Sequence, residues 1–170
     1  MNTSKIWVIT GTIIVLMALV SIGMTLWNQV RDEWDVEQSS AQYALNHSPL
    51  ERIEGHALST GAGVQEVFYG RDMFGRSWYT FVTDNPRHAY AVPASQVLVK
   101  SRVEQLAERA GVTPIDAEPA YVPSSLAKTL PASRHVVWEV YGKQRKNGRS
   151  EYIFYDAVNG KLLWKYMLST

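Results

Sequence analysis

The side chains here that could move protons or hold a metal are four histidines, sixteen carboxylates and a few serines beside glycine turns. Chemistry requires them at fixed spacing. Zinc hydrolysis would set two histidines one helical turn apart, as in H-E-x-x-H, but His47, His56, His88 and His135 stand in four separate stretches. Neither a G-x-S-x-G nucleophile elbow nor a phosphate-cradling G-x-x-x-x-G-K-[ST] or G-x-G-x-x-G loop occurs. With no cysteine, thiolate zinc sites, disulfides and thiol nucleophiles are excluded together. Asp116 and Glu118 read as solvated charge in a proline-rich stretch, and Ser77 and Ser150 as turn residues. Asn46-His47-Ser48 is a formal glycosylation sequon that carries little weight as a three-residue pattern. The sequence therefore predicts no catalytic residue, no metal, no cofactor and no small-molecule substrate.

The elements around these residues begin with an apolar segment. Ile6 to Trp27 is 22 residues without a charge, flanked by indoles at Trp7 and Trp27. A helix of that length spans about 33 Å, enough for a hydrocarbon layer of roughly 30 Å. It predicts a single transmembrane helix. A cleaved signal peptide is the competing reading, with Ser21-Ile22-Gly23 as its site, but such apolar cores run to only ~7–15 residues. Lys5 precedes the span, which favours a short cytoplasmic start, residues 1–5, and an extracytoplasmic remainder. Beyond Lys5 the chain holds 16 basic and 16 acidic groups, with no basic stripe to suggest nucleic acid.

Between Met24 and Ser48 there is neither proline nor glycine, and Trp27, Val30, Trp34, Ala41 and Leu45 fit one helical face. A stalk helix up to Pro49 and a flexible break near Asp35 or Ser39 both remain open. Four short β-like runs follow: "RIEGHAL", "VQEVFYGR", "RSWYTFVTD" and "HAYAV". A second helix is expected from the stripe Val99, Val103, Leu106 and Ala110, capped by Ser95 or Ser101 and ended by Gly111. The next stretch holds four of the seven prolines and reads as loop with a strand near Ala120 to Val122. "HVVWEVYGK", "RSEYIFYD" and "KLLWKYM" complete the set.

"YGRDMFGRSWYTF" and "YGKQRKNGRSEYIF" share seven identities over thirteen aligned positions, which marks an internal duplication. Asn147-Gly148 suggests a two-residue type I′ turn, and Met73-Phe74-Gly75 a three-residue turn. With those turns Tyr69, Tyr79 and Phe81, or Tyr141, Tyr152 and Phe154, share a face. Phe68, Trp78 and Val82, or Trp138, Val140, Ile153 and Tyr155, share the other. Glu139 falls on the tyrosine side, and burying an unpaired carboxylate is costly, so the opposite side is assigned to the helix-covered core. The six tyrosine-side residues are left as packing between the domains or as a partner-binding surface.

The ending "YIFYDAVNGKLLWKY", with Tyr155, Asp156, Asn159, Gly160, Lys161 and Leu162, resembles the last hairpin of PepSY domains. The first copy departs from that form, with Pro86-Arg87 where the turn glycine would stand. Taken over the whole chain, the span and the two copies resemble the TseB-like cell-wall elongation regulators of Gram-positive bacteria. That resemblance implies an α+β architecture: a transmembrane helix (6–27) followed by two tandem cystatin-like units, 28–92 and the PepSY-like 93–170. Each unit would be a helix packed on an antiparallel sheet. It further implies a non-enzymatic protein of the cell membrane that regulates wall elongation by binding a class B penicillin-binding protein. Other PepSY proteins suggest the alternative, an inhibitor or escort of an extracellular peptidase.

Overall fold

Each copy of the repeated phrase forms the central hairpin of a four-stranded antiparallel sheet. The computed structural model describes residues 17, 20, 21 and 38–168. The first sheet comprises β1 (Arg52–Ser59), β2 (Gln65–Arg71), β3 (Ser77–Asp84) and β4 (Arg87–Pro93), and the second β5 (Val112–Tyr121), β6 (Val136–Gln144), β7 (Ser150–Asp156) and β8 (Leu162–Met167). Both run in sequence order, as meanders. Helix α1, residues 38–47, precedes the first sheet and α2 (Lys100–Arg109) the second. The fold is α+β with two antiparallel sheets and few helices, consistent with tandem cystatin-like units, and both sheets belong to one compact unit, Ser40–Thr170. Apart from residues 17, 20 and 21, which are helical, the expected span 6–27 lies outside the described residues. Among the described residues no helix is long and apolar enough to cross a membrane.

The duplication extends to the register. Tyr69 pairs with Tyr79 and Tyr141 with Tyr152, so the sequence alignment superposes the two ladders. The first turn is the expected three-residue one: Asp72 N–H donates to Arg76 O at 3.0 Å, and Gly75 has φ +74°. The second differs from expectation. Four residues, 145–148, turn the chain, closed by Gln144 N–H on Arg149 O (2.9 Å) and Gly148 N–H on Gln144 O (2.8 Å). The longer turn gains that second bond, and Asn147 Oδ1 accepts from Arg149 N–H at 3.0 Å, which a two-residue turn would forgo. The register thereby slides by two residues, and an even slide leaves every side chain on its expected face.

The repeated glycine has a steric reason. Both first strands carry a bulge, between Ile53 and Gly55 and between Pro114 and Asp116, and the residues facing them are Gly70 and Gly142. A Cβ on Gly70 would lie 1.9 Å from Arg52 O, and one on Gly142 2.5 Å from Thr113 O. Only glycine admits so close a backbone.

Each helix covers the equivalent face of its sheet. Ala44 and Leu50 pack on Phe68 and Val82, with Trp78 and Ala89 beside them, while Val103 and Ala107 of α2 join Trp138, Val140 and Ile153. The expected serine cap of α2 is absent. Val99 occupies the cap position without a side-chain bond, and the chain before the helix is pinned to the second sheet through Leu98 N–H on Ala157 O at 2.7 Å. Gly111 ends the helix at φ +85°. The proline-rich stretch also differs from the expected loop, because its first half is the ten-residue strand β5. Pro114 and Pro119 are tolerated there because β5 is an edge strand, with one side free of ladder partners.

Asp72 locks the first hairpin. Its Oδ1 accepts from the amides of Phe74 and Arg76, both at 2.9 Å, and its Oδ2 from Arg76 Nε at 2.7 Å and Trp78 Nε1 at 3.0 Å. Burial alone would raise its pKa, but the bonds from the Arg76 amide, the Trp78 indole and the Arg76 guanidinium hold it down to about 2. A depressed carboxylate stabilises the fold fully above its unfolded value of about 3.9 and loses that contribution as pH falls toward the folded one. Asp72→Asn should therefore be less stable than the native chain at neutral pH. The difference in Tm, followed by circular dichroism, should shrink as pH falls from about 4 to about 2.

Candidate functional site

On the first sheet the tyrosine side is covered. Val67, Phe81 and Val92 join one core with Val136, Trp138 and Tyr155 of the second sheet. Tyr79 stands edge-on to Trp138 (centroids 6.3 Å apart), and Tyr90 lies against Tyr121 at 4.8 Å with its hydroxyl donating to Arg134 O at 2.9 Å. Gln65 imitates a strand. Its Oε1 accepts from Tyr121 N–H at 2.8 Å and its Nε2 donates to Tyr121 O at 3.0 Å. Of the residues singled out from the sequence, Phe81 is buried, Tyr79 is half-buried in this joint and Tyr69 is exposed at its rim.

The equivalent side of the second sheet is only partly covered, and Glu139 explains the difference. The premise that Glu139 would be an unpaired carboxylate if buried is corrected by the structure, while the opposite side is the helix-covered one, as expected. Glu139 is 6% exposed and reaches the turn after β1, where its Oε2 accepts from the Ser59 hydroxyl at 2.9 Å and Gly61 N–H at 3.1 Å, and its Oε1 from Ala62 N–H. Burial pushes its pKa above the ordinary carboxylate value, against the pull of these three donors. Ala62 then packs with Val122, Leu130, Val137 and Phe154, so the first sheet's turn and the segment after β5 roof one end of the face.

The other end is open and aromatic. Strand register lines up two rows across it: Asp116, Tyr141, Tyr152 and Tyr166, and beside them Glu118, Glu139, Phe154 and Trp164. Successive rings lie 5.0 Å (Tyr141–Tyr152), 5.4 Å (Tyr152–Tyr166) and 5.7 Å (Tyr166–Trp164) apart. At the acidic end Lys100 Nζ bridges Asp116 (3.5 Å) and Glu118 (3.0 Å). A cleft of about 90 Å³ opens there between Leu58, Thr60, Glu139, Tyr141 and Tyr152. Burial, with the Glu139 charge nearby, raises the phenol pKa of Tyr152 and Tyr166, so both stay neutral at physiological pH.

Tyr141 and Tyr152 thus fall in the open ladder, while Phe154 is buried at its base. Two members were missed: Trp164, 48% exposed, and Tyr166. Their signal was the alternation Trp164-Lys165-Tyr166, which sets both rings on one face of the last strand. Among the described residues no three His, Asp or Glu side chains gather to hold a metal ion.

The fold and face define a class: an α+β chain of two tandem meander sheets, joined through a buried carboxylate, with an aromatic face on the second. Among solved structures the chain is similar to the YpmB protein from Bacillus subtilis, with a TM-score of 0.63 over 77% of this chain and 96% of that one. At 16% identity this likeness shows a shared fold. No family model and no curated protein matches the chain.

Glu139→Ala should leave one hydroxyl and two amide donors buried without an acceptor, at a cost of about 3 kcal/mol in urea unfolding. The native protein carries an opposite signature to Asp72. Because the folded pKa of Glu139 is raised, its protonation favours the folded state, and stability should increase as pH is lowered from neutral through that raised value. The Glu139→Ala variant should lack this gain.

Proposed function

We propose that this chain is a non-catalytic interaction protein that binds a partner protein through the open aromatic face of its second sheet. The observation that carries the reading is the ladder Tyr141, Tyr152, Tyr166 and Trp164, a partly exposed run of rings of the kind that anchors interfaces. The resemblance to TseB-like regulators supplies the partner, a class B penicillin-binding protein, and the role, regulation of wall elongation. The apolar segment 6–27 would hold the two sheets at the outer membrane surface, within reach of that enzyme.

Photoreactive residues at Tyr152 and Trp164 of the full chain, in its own cells, should crosslink to a class B penicillin-binding protein, whereas one at Arg102 on the outer side of α2 should not. Trp164→Ala should weaken the association of the purified full chains by about tenfold or more, as expected when an interface anchor is removed. Capture of a secreted peptidase in place of the transpeptidase would establish the inhibitor or escort role instead. Equal capture at Arg102 would refute the face.

A further inference from the structure

We infer that the partner engages as an added β-strand on β8, bearing a carboxylate between two apolar or aromatic side chains; this deepens, and rests on, the reading of the second sheet as a partner-binding face. β8 ends its sheet, and among the described residues no strand lies on its outer side. Leu168 N–H donates to Ser150 O at 2.9 Å, so those two form a hydrogen-bonded pair of the antiparallel ladder. By alternation Tyr166 and Trp164 turn their peptide groups toward β7, and Lys165 and Met167 turn theirs outward. An extended segment laid antiparallel beside β8 would meet those outward groups.

Of the four sheet edges β5 is the most blunted, and β8 is the one that carries the aromatic pair Trp164 and Tyr166. β5 carries Pro114, Pro119 and a bulge, β1 carries a bulge, and β4 ends on Pro93. β8 has its own bulge only at its start, opposite Phe154 and Tyr155, and no proline. Beyond that bulge it leaves Trp164 and Met167 about half exposed. An edge so built is a template for another strand.

Lys165 selects the occupant. Its side chain lies on the face opposite Trp164 and Tyr166, 3.5 Å from Glu151 and 53% exposed. A second copy pairing antiparallel about a two-fold axis at this residue would oppose Lys165 to Lys165, a destabilising like-charge pair. A foreign strand with Asp or Glu at that position gains a charge partner. The residues on either side of it fall opposite Trp164 and Tyr166, where they extend both aromatic rows and are best filled by apolar or aromatic side chains. The partner element is therefore an extended apolar–acid–apolar segment.

The probe is a capped synthetic peptide, Val-Glu-Phe-Glu-Val-Glu-Phe, added to the full chain in detergent. It should bind saturably and slow amide exchange at Lys165 and Met167. N-methylation of its glutamates, which removes the donors facing β8, should weaken binding about tenfold or more, and N-methylation of its valines and phenylalanines should not. Lys165→Pro removes an outward amide and leaves the ladder to β7 intact, so it should abolish binding without loss of the circular dichroism spectrum. Equal binding of both methylated peptides, or no binding by the folded native chain, would overturn the inference. So would self-association of the chain, seen by sedimentation and lost in Lys165→Pro. Lost peptide binding with crosslinks at Trp164 retained refutes strand addition alone; the converse refutes the transpeptidase reading alone.

Discussion

The carboxylate of Glu139 is the point on which the two halves of this protein depend. It sits on a central strand of the second sheet, and its three donors belong to the end of the first strand and the turn beyond it, 77 to 80 positions earlier in the chain. A buried carboxylate is tolerated only when its lone pairs are filled, and here a turn of the neighbouring sheet fills them. The joint is thus registered by polar contacts, those of Glu139 and Gln65 foremost, set beside an apolar seam of Phe81, Val92, Trp138 and Tyr121.

This one contact breaks the symmetry of the duplication. Both copies have the same ladder register, the same bulge opposite the same glycine and the same helix-covered face. They differ in what lies on the other face. The first copy spends it on the joint, and the second keeps half of it open because the turn held by Glu139 roofs only one end. A repeated unit therefore yields one structural surface and one available surface, although the aromatic residues of the two hairpins correspond.

Most of the strand plan was legible because period-two alternation is strong in both hairpins, and the face assignments survived a wrong turn because the register moved by an even number. β5 is less legible, since its prolines argue against a strand until its place at a sheet edge is known. The start of α2 is not legible locally, because its anchor is a distant carbonyl, Ala157 O, and not a nearby serine. Glu139 could not have been resolved from sequence: burial cost is local information, and the compensating donors are far away. Trp164 and Tyr166 were accessible in principle, since Trp164-Lys165-Tyr166 alternates as plainly as any strand.

The use of peptide groups in the joint has a consequence for how such chains diverge. Glu139 grips two amides of a turn, and Gln65 grips both peptide groups of Tyr121, so half of each contact is backbone, present whatever side chains stand there. Few positions are tied to particular residue types by such a scheme. A chain built this way can replace most of its letters and still stack its two sheets alike.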